Sequence, residues 1–178
     1  GIDVPNFKSS HGDVQHEPFD AHPFLSYDPG LCIQCQRCIS TCAKATGRHA
    51  LSLERNGARV YVQVPFGEGW ENSLCESCGN CAQACPTGAL TIKRRKDYRE
   101  WEVKKVRTTC PHCATGCQMD LYVKDGKIVD VQGADGPSNH NLLCVKGRSG
   151  SFDFVDCDAR IRYPLIKNKE TGEFERAT

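Results

Sequence analysis

The alternation of apolar and polar side chains predicts short strands and few helices. Residues 50–64, ALSLERNGARVYVQV, form two strand-like stretches around Asn56-Gly57, a pair suited to the tight turn of a β-hairpin. TGALTI, residues 87–92, reads as a short closing strand after the Cys85-Pro86 turn. MDLYVKDGKIVDVQG, residues 119–133, alternates on both sides of Asp125-Gly126 and predicts a second hairpin with a two-residue turn. Residues 1–27 are polar, carry Pro5, Pro18 and Pro23, and show no sustained period, so an extended arm is expected there. No apolar run approaches the roughly 18–20 residues that span a bilayer, so no membrane segment is expected.

Composition changes the picture. Leu, Ile, Val and Phe make up about a fifth of the residues, the level below which chains often fail to build a core. The high net charge that accompanies disorder is absent, because 23 Lys+Arg against 22 Asp+Glu leave only +1 over 178 residues. Something besides apolar side chains must hold such a chain together, and 13 cysteines stand out as the means. Twelve fall into three quartets: Cys32, Cys35, Cys38 and Cys42; Cys75, Cys78, Cys81 and Cys85; and Cys110, Cys113, Cys117 and Cys144. Cys157 is left over.

The first two quartets, CIQCQRCISTC and CESCGNCAQACP, both read C-x2-C-x2-C-x3-C, the second followed by Pro86, which is the bacterial ferredoxin spacing for 4Fe-4S clusters. A cubane needs three thiolates converging from one compact loop, and small residues such as Gly79, Ala82 and Ala84 let the backbone wrap it. The fourth cysteine lies too far along the emerging helix to reach the same cube, and in two-cluster ferredoxins it serves the other one. The expected sets are therefore Cys32, Cys35, Cys38 and Cys85 for one cluster, and Cys75, Cys78, Cys81 and Cys42 for its neighbour. Structural zinc is the competing reading, but three cysteines in consecutive C-x2-C steps would crowd a tetrahedral single-ion site. A disulfide framework fits less well still, since such loops have poor disulfide geometry and no secretory signal is visible.

His11, His16 and His22 precede every cysteine and stay unassigned, because a solvated or hydrogen-bonded imidazole is the commoner fate. KRRKDYREWEVKKVR, residues 93–107, is basic with Tyr98 and Trp101 interleaved. Nucleic-acid binding is a possible use of such a run, yet its acidic residues and the near-neutral chain favour a solvated linker. Each oxidised cluster with four thiolates carries about −2, so three would take the chain to about −5, and nearby cations would offset part of that.

The third quartet differs: CPHCATGC followed by Cys144 is C-x2-C-x3-C-x26-C, with the second hairpin and the loop GADGPSNHNLLCVKGR returning the last cysteine. CPHCATGC, DLYVKDGKIVDVQG, the CVKGR motif at Cys144–Arg148 and the later ARIRYPLIK together resemble the N-terminal cluster domain of molybdenum- or tungsten-bis(pterin guanine dinucleotide) oxidoreductases, formate dehydrogenase catalytic subunits above all. The ferredoxin pair in front is similar to that of NAD-linked or hydrogenase-linked formate dehydrogenases, so the resemblance covers about residues 26–178. It implies that Cys110, Cys113, Cys117 and Cys144 ligate a third 4Fe-4S cluster and that Lys146 sits between that cluster and the pterin. His112 is expected to pack beside the cluster without ligating it.

In that family the catalytic metal–pterin site lies beyond the YPLI segment, so no catalytic residue is expected in this chain, which reads as a fragment or a dedicated electron-transfer subunit. The expected fold class is α+β. It comprises an arm (1–27), a bacterial two-cluster ferredoxin-like domain (28–92), a basic linker (93–107), a small β-hairpin-containing 4Fe-4S domain of the molybdopterin oxidoreductase type (108–157) and the start of a truncated pterin-binding domain (158–178). The leading functional reading is a three-cluster electron relay of a formate dehydrogenase, an oxidoreductase, between a molybdenum or tungsten bis-pterin site and a redox partner subunit of flavin/NAD(P), ferredoxin or hydrogenase type. The implied contacts are that partner and a pterin-binding catalytic domain, with no nucleic acid and no membrane, and the expected setting is a reducing, anaerobic cytoplasm. The alternatives are the large subunit of a related NADH dehydrogenase or hydrogenase complex, a freestanding polyferredoxin, or a zinc-stapled interaction module. The hydrogenase is disfavoured by the lack of its active-site cysteine motifs, and a nitrate reductase by the ferredoxin pair.

Overall fold

A computed structural model describes residues 22–56, 59–64, 69–93, 98–150, 152 and 154–177. His11, His16, most of the expected arm, Gly57 of the first hairpin turn and residues 94–97 of the basic run lie outside the described residues.

Strand β1 (Leu25–Tyr27) pairs antiparallel with β4 (Leu90–Ile92), Leu25 opposite Ile92 and Tyr27 opposite Leu90. The ribbon brings the two ends of the segment 25–92 together. Helix α1 (Arg37–Thr41) runs into a wide π-type turn, Cys42–Thr46, which stops at Gly47 in the left-handed region. Helix α2 (Asn80–Ala84) stops at Cys85, ahead of Pro86, which disfavours helical backbone in the residue before it. The two helices pack on each other. Strands β2 (Ser52–Asn56) and β3 (Arg59–Gln63) form the first hairpin, and Tyr27 Oη accepts the Val62 N–H at 3.2 Å, tying it to the ribbon. Leu25, Tyr27, Leu51, Val62, Val64, Trp70, Ala89 and Leu90 make the core, and Cys38 and Cys81 belong to it. Sulfur completes what the sparse aliphatic content leaves unfilled.

The second half is a sheet in the order β5-β6-β7. β6 (Gln118–Lys124) and β7 (Lys127–Gly133) are joined through Asp125 and Gly126, both at positive φ (51° and 76°), the geometry of the tight hairpin turn their sequence predicts. β5 (Lys104–Thr109) pairs along its whole length with β6, so residues 104–107 of the stretch read as a basic linker are sheet. Alternation could not reveal this strand because it lies at an edge and is almost wholly exposed. Its basic residues suit an unpaired edge: Arg107 bonds Asp120, and the Lys105 ammonium lies 5.1 Å from the Tyr122 ring centroid. Met119, Val131, Leu143 and Cys110 form a second, smaller core.

Asn139 holds the loop that returns Cys144. Its Oδ1 accepts the Gln118 N–H at 2.9 Å, and its Nδ2 donates to the carbonyls of Gln118, Ala134 and Leu142. Helix α3 (Val145–Ser149) follows Cys144 directly. The chain ends in hairpin β8 (Leu165–Lys167) and β9 (Phe174–Arg176), where Leu165, Ile166 and Phe174 are exposed and the Arg176 guanidinium lies 3.6 Å from the Tyr163 ring centroid. Among the described residues no helix is long and apolar enough to cross a membrane.

Candidate metal centres

Both ferredoxin-type loops fold the same way. Gln34 and Gln36 in one, Ser77 and Gly79 in the other, stand at matching offsets from the first cysteine and all have φ between 56° and 72°. These left-handed residues curl each loop around its three sulfurs. They also aim backbone N–H groups inward, Gln34 N–H at Cys32 Sγ and Ser77 N–H at Cys75 Sγ, each at 3.4 Å.

The curling produces a crossed grouping. Cys32, Cys35 and Cys38 share a hollow with Cys85, walled by Tyr27, Val62 and Leu90. Cys75, Cys78 and Cys81 share another with Cys42, walled by Leu25, Leu51 and Trp70. Burial, with Cys32, Cys85 and Cys35 close by, pushes the Cys38 thiol up to about 11. Burial also raises Cys81, helped by Cys78, Cys75, Cys38 and Cys42, and Cys38 of the first group shares one buried core with Cys81 of the second. Cys85 goes the other way: burial raises it, but the N–H groups of Leu90, Thr87 and Ala89 and the Thr87 hydroxyl outweigh burial and hold it below its ordinary value.

Cys113, Cys117 and Cys144 line a third hollow of about 390 Å³ whose wall also includes Cys78 of the second group and Asn80. Cys110 is buried and, with Cys113 and Cys144, adds to the burial that raises Cys117. Cys113 is held low by the Thr115 hydroxyl and N–H, with a smaller pull from the Lys146 ammonium. Lys146 is exposed on α3. His112 packs edge-on against Phe154, ring centroids 6.5 Å apart. Cys157 is exposed and lines none of the three hollows. Among the described residues no three His, Cys, Asp or Glu side chains are grouped so as to hold a single metal ion. Three groups of four thiols are a donor set that fits iron–sulfur cubanes.

The sequence assigns no role to three residues at the sites. His22 is 2% exposed. Its Nδ1 accepts the N–H groups of Phe24 and Leu25 at 3.1 and 3.0 Å, which leaves its proton on Nε2, 3.6 Å from Cys75 Sγ and 3.4 Å from Ser77 Oγ. Burial, with the Lys93 ammonium, lowers the His22 pKa and favours this neutral form. Asn80 and Arg148, 5% and 3% exposed, meet where the halves join. Arg148 donates from Nε to the Cys78 carbonyl at 2.8 Å and from Nη2 to Asn80 Oδ1 and Gln83 Oε1 at 2.8 and 2.7 Å. Gln83 pairs its amide with both the N–H and the C=O of Gly133, each at 3.0 Å. Only the CVKGR motif pointed toward Arg148, and it could not show which way the side chain turns.

Residues 103–153 match the molybdopterin oxidoreductase Fe4S4 domain, and residues 23–91 match the ferredoxin-like domain of NADH-quinone oxidoreductase subunit 3. The chain is similar to the G 2 subunit of the NADH-quinone oxidoreductase of Rhizobium meliloti, 37% identical over 167 residues, which is 86% of this chain and 19% of the relative. It is 33% identical over 150 residues to the NADPH-Fe(3+) oxidoreductase subunit alpha of Geobacter sulfurreducens, covering 83% of this chain and 17% of that one. A provisionally named formate dehydrogenase of Staphylococcus haemolyticus is 30% identical over 199 residues, 87% of this chain and 20% of the relative. The chain spans about a fifth of the length of these proteins.

Proposed function

The chain carries the iron–sulfur region of the molybdopterin oxidoreductase family, and from that premise we propose that it is a relay of three 4Fe-4S clusters. Cys32, Cys35, Cys38 and Cys85 hold the first, Cys42, Cys75, Cys78 and Cys81 the second, and Cys110, Cys113, Cys117 and Cys144 the third. Bound in this way, a cluster takes up and releases one electron with its potential set by burial and by hydrogen bonds to its sulfurs. Cys157 takes no part.

The observation that carries this reading is the series of three thiol-lined hollows, with Cys38 and Cys81 sharing one core and Cys78 on the wall of the third. The chain's own residues keep them close: the α1–α2 contact joins the first pair, and Gln83, Asn80 and Arg148 lock the second to the third. Lys146, near Cys113 and exposed, stands where a pterin ligand could approach the third cluster. The exposed apolar face of β8 and β9 is the surface that a pterin-binding domain would cover.

Within the family we propose the formate dehydrogenase role, supported by the formate dehydrogenase name that several relatives carry. In that role the relay joins a molybdenum or tungsten bis-pterin site to a redox partner subunit. A second reading, the large subunit of an NADH-quinone oxidoreductase, is favoured by the higher identity to the Rhizobium meliloti relative and by the match over residues 23–91. Anaerobic reconstitution should give about twelve iron and as many sulfide per chain, four for each quartet. Stoichiometric zinc and a colourless protein would sink the relay. In the whole protein formate should bleach the clusters; bleaching by NADH through a partner, and none by formate, selects the second reading.

A further inference from the structure

The junction between the second and third quartets turns on one side chain. Asn80 is the first residue of α2, and all of its hydrogen-bonding capacity is used. Its Nδ2 lies 3.3 Å from Cys78 Sγ and 3.0 Å from the Leu143 carbonyl oxygen, while its Oδ1 accepts the Leu143 N–H at 3.1 Å and Arg148 Nη2 at 2.8 Å. The orientation of the amide follows from its partners. A backbone N–H and a guanidinium can only donate, so the oxygen must face them and the nitrogen must face the sulfur and the carbonyl. One nitrogen therefore touches a ligand of the second cluster and the peptide that continues into Cys144, a ligand of the third.

Resting on the relay reading, we infer that the Asn80 carboxamide, clamped by Arg148, couples the second cluster to the third: it raises the potential of the second through its N–H···Sγ bond to Cys78 and bridges to Cys144 through the Leu143 peptide. A hydrogen bond to a ligating sulfur favours the reduced, more negative state. Arg148 strengthens the effect by holding Oδ1 and by placing a buried positive charge near Cys78, Cys81 and Cys144. One electron moves between the two clusters, the donor oxidised by one and the acceptor reduced by one, with no bond made and no proton transferred. A purely architectural Asn80 would need its bonds to Leu143 and Arg148 and have no use for the one to sulfur.

The test uses the reconstituted chain reduced by one electron and read by electron paramagnetic resonance. Asn80→Ala deletes the donor, and Asn80→Asp deletes it while keeping the acceptor for Leu143 and Arg148. Both should retain wild-type iron, and the share of the electron on the second cluster relative to the others should fall about ten-fold, equivalent to about 59 mV for one electron. In the wild-type chain, carboxamide-15N-asparagine should give a nitrogen hyperfine coupling to the reduced second cluster, a readout that stands even if a variant fails to fold. An unchanged electron distribution with iron intact, or no such coupling, overturns the inference while leaving the relay in place. A wild-type chain without iron overturns the relay itself.

Discussion

At the scale of single residues, position relative to a sulfur decides what a side chain can do. Lys146 follows Cys144 by two residues, is exposed, and its charge is felt at Cys113. If it carries electrons between that cluster and a pterin, its loss should spare iron content and slow formate-driven reduction in the whole enzyme. Lys146→Ala is expected to slow that reduction about ten-fold, a common cost of removing a group just outside a metal's ligands. Lys146→Arg should retain more, because it keeps the charge and changes only the shape of the head group. Stopped-flow bleaching after mixing with formate measures both, and a native rate in the alanine variant would leave Lys146 as a surface lysine. Cys38 and Cys113 show the same dependence on setting: burial raises one thiol, and the Thr115 hydroxyl and N–H lower the other.

At the scale of elements, the two C-x2-C-x2-C loops serve as internal controls for each other. Gly79 and Gln36 occupy equivalent positions at similar φ, 72° and 60°, so positive φ alone does not demand glycine there. What demands it is crowding: a Cβ on Gly79 would stand 2.5 Å from both Arg148 Cδ and Ile92 Cδ1. Arg148 cannot yield easily, because three hydrogen bonds fix its guanidinium. Gly79→Ala should therefore destabilise the chain by about 2–5 kcal/mol, combining left-handed strain with overpacking. A denaturant titration followed by cluster absorbance would show the earlier transition. Gln36→Ala, at the matching place, should cost little, and equal losses at both positions would refute the crowding argument.

For the molecule as a whole, the two halves depend on their sulfurs unequally. In residues 22–93 the core includes Cys38 and Cys81 and packs Cys32, Cys42, Cys75 and Cys85 around it, held by two ribbons of two strands each. In residues 98–150 a three-stranded sheet closes over Met119 and Val131, with one buried cysteine in its core. Stripping iron and sulfide with a chelator under mild oxidation should therefore unfold the first half and leave much of the sheet. Hydrogen exchange would show it as lost protection at Leu25 and Val62 and retained protection at Leu121 and Val131. Uniform loss would mean that the third quartet supports its half as strongly as the first two support theirs.

The sequence alone determined what depends on spacing and short-range turn chemistry. The Asp125-Gly126 turn and the Cys85-Pro86 stop follow from rules that act over a few residues, whereas Cys85 and Cys42 reach the hollows of the opposite loops only through the packing of α1 on α2. The exposed strand β5 escaped because an edge strand with solvent on most of its surface carries no alternation. Gln34, Gln36 and Ser77 take up left-handed backbone without being glycine, so the curl of the loops had no local sign. His22, Asn80 and Arg148 came to the sulfurs only through folding: His22 when β1 paired with β4, more than sixty residues away in sequence, and Asn80 with Arg148 when the two halves met. Tertiary structure alone decided these because a buried donor's worth depends on which acceptor the rest of the chain brings to it, and that choice is written in long-range contacts, where spacing along the chain is silent.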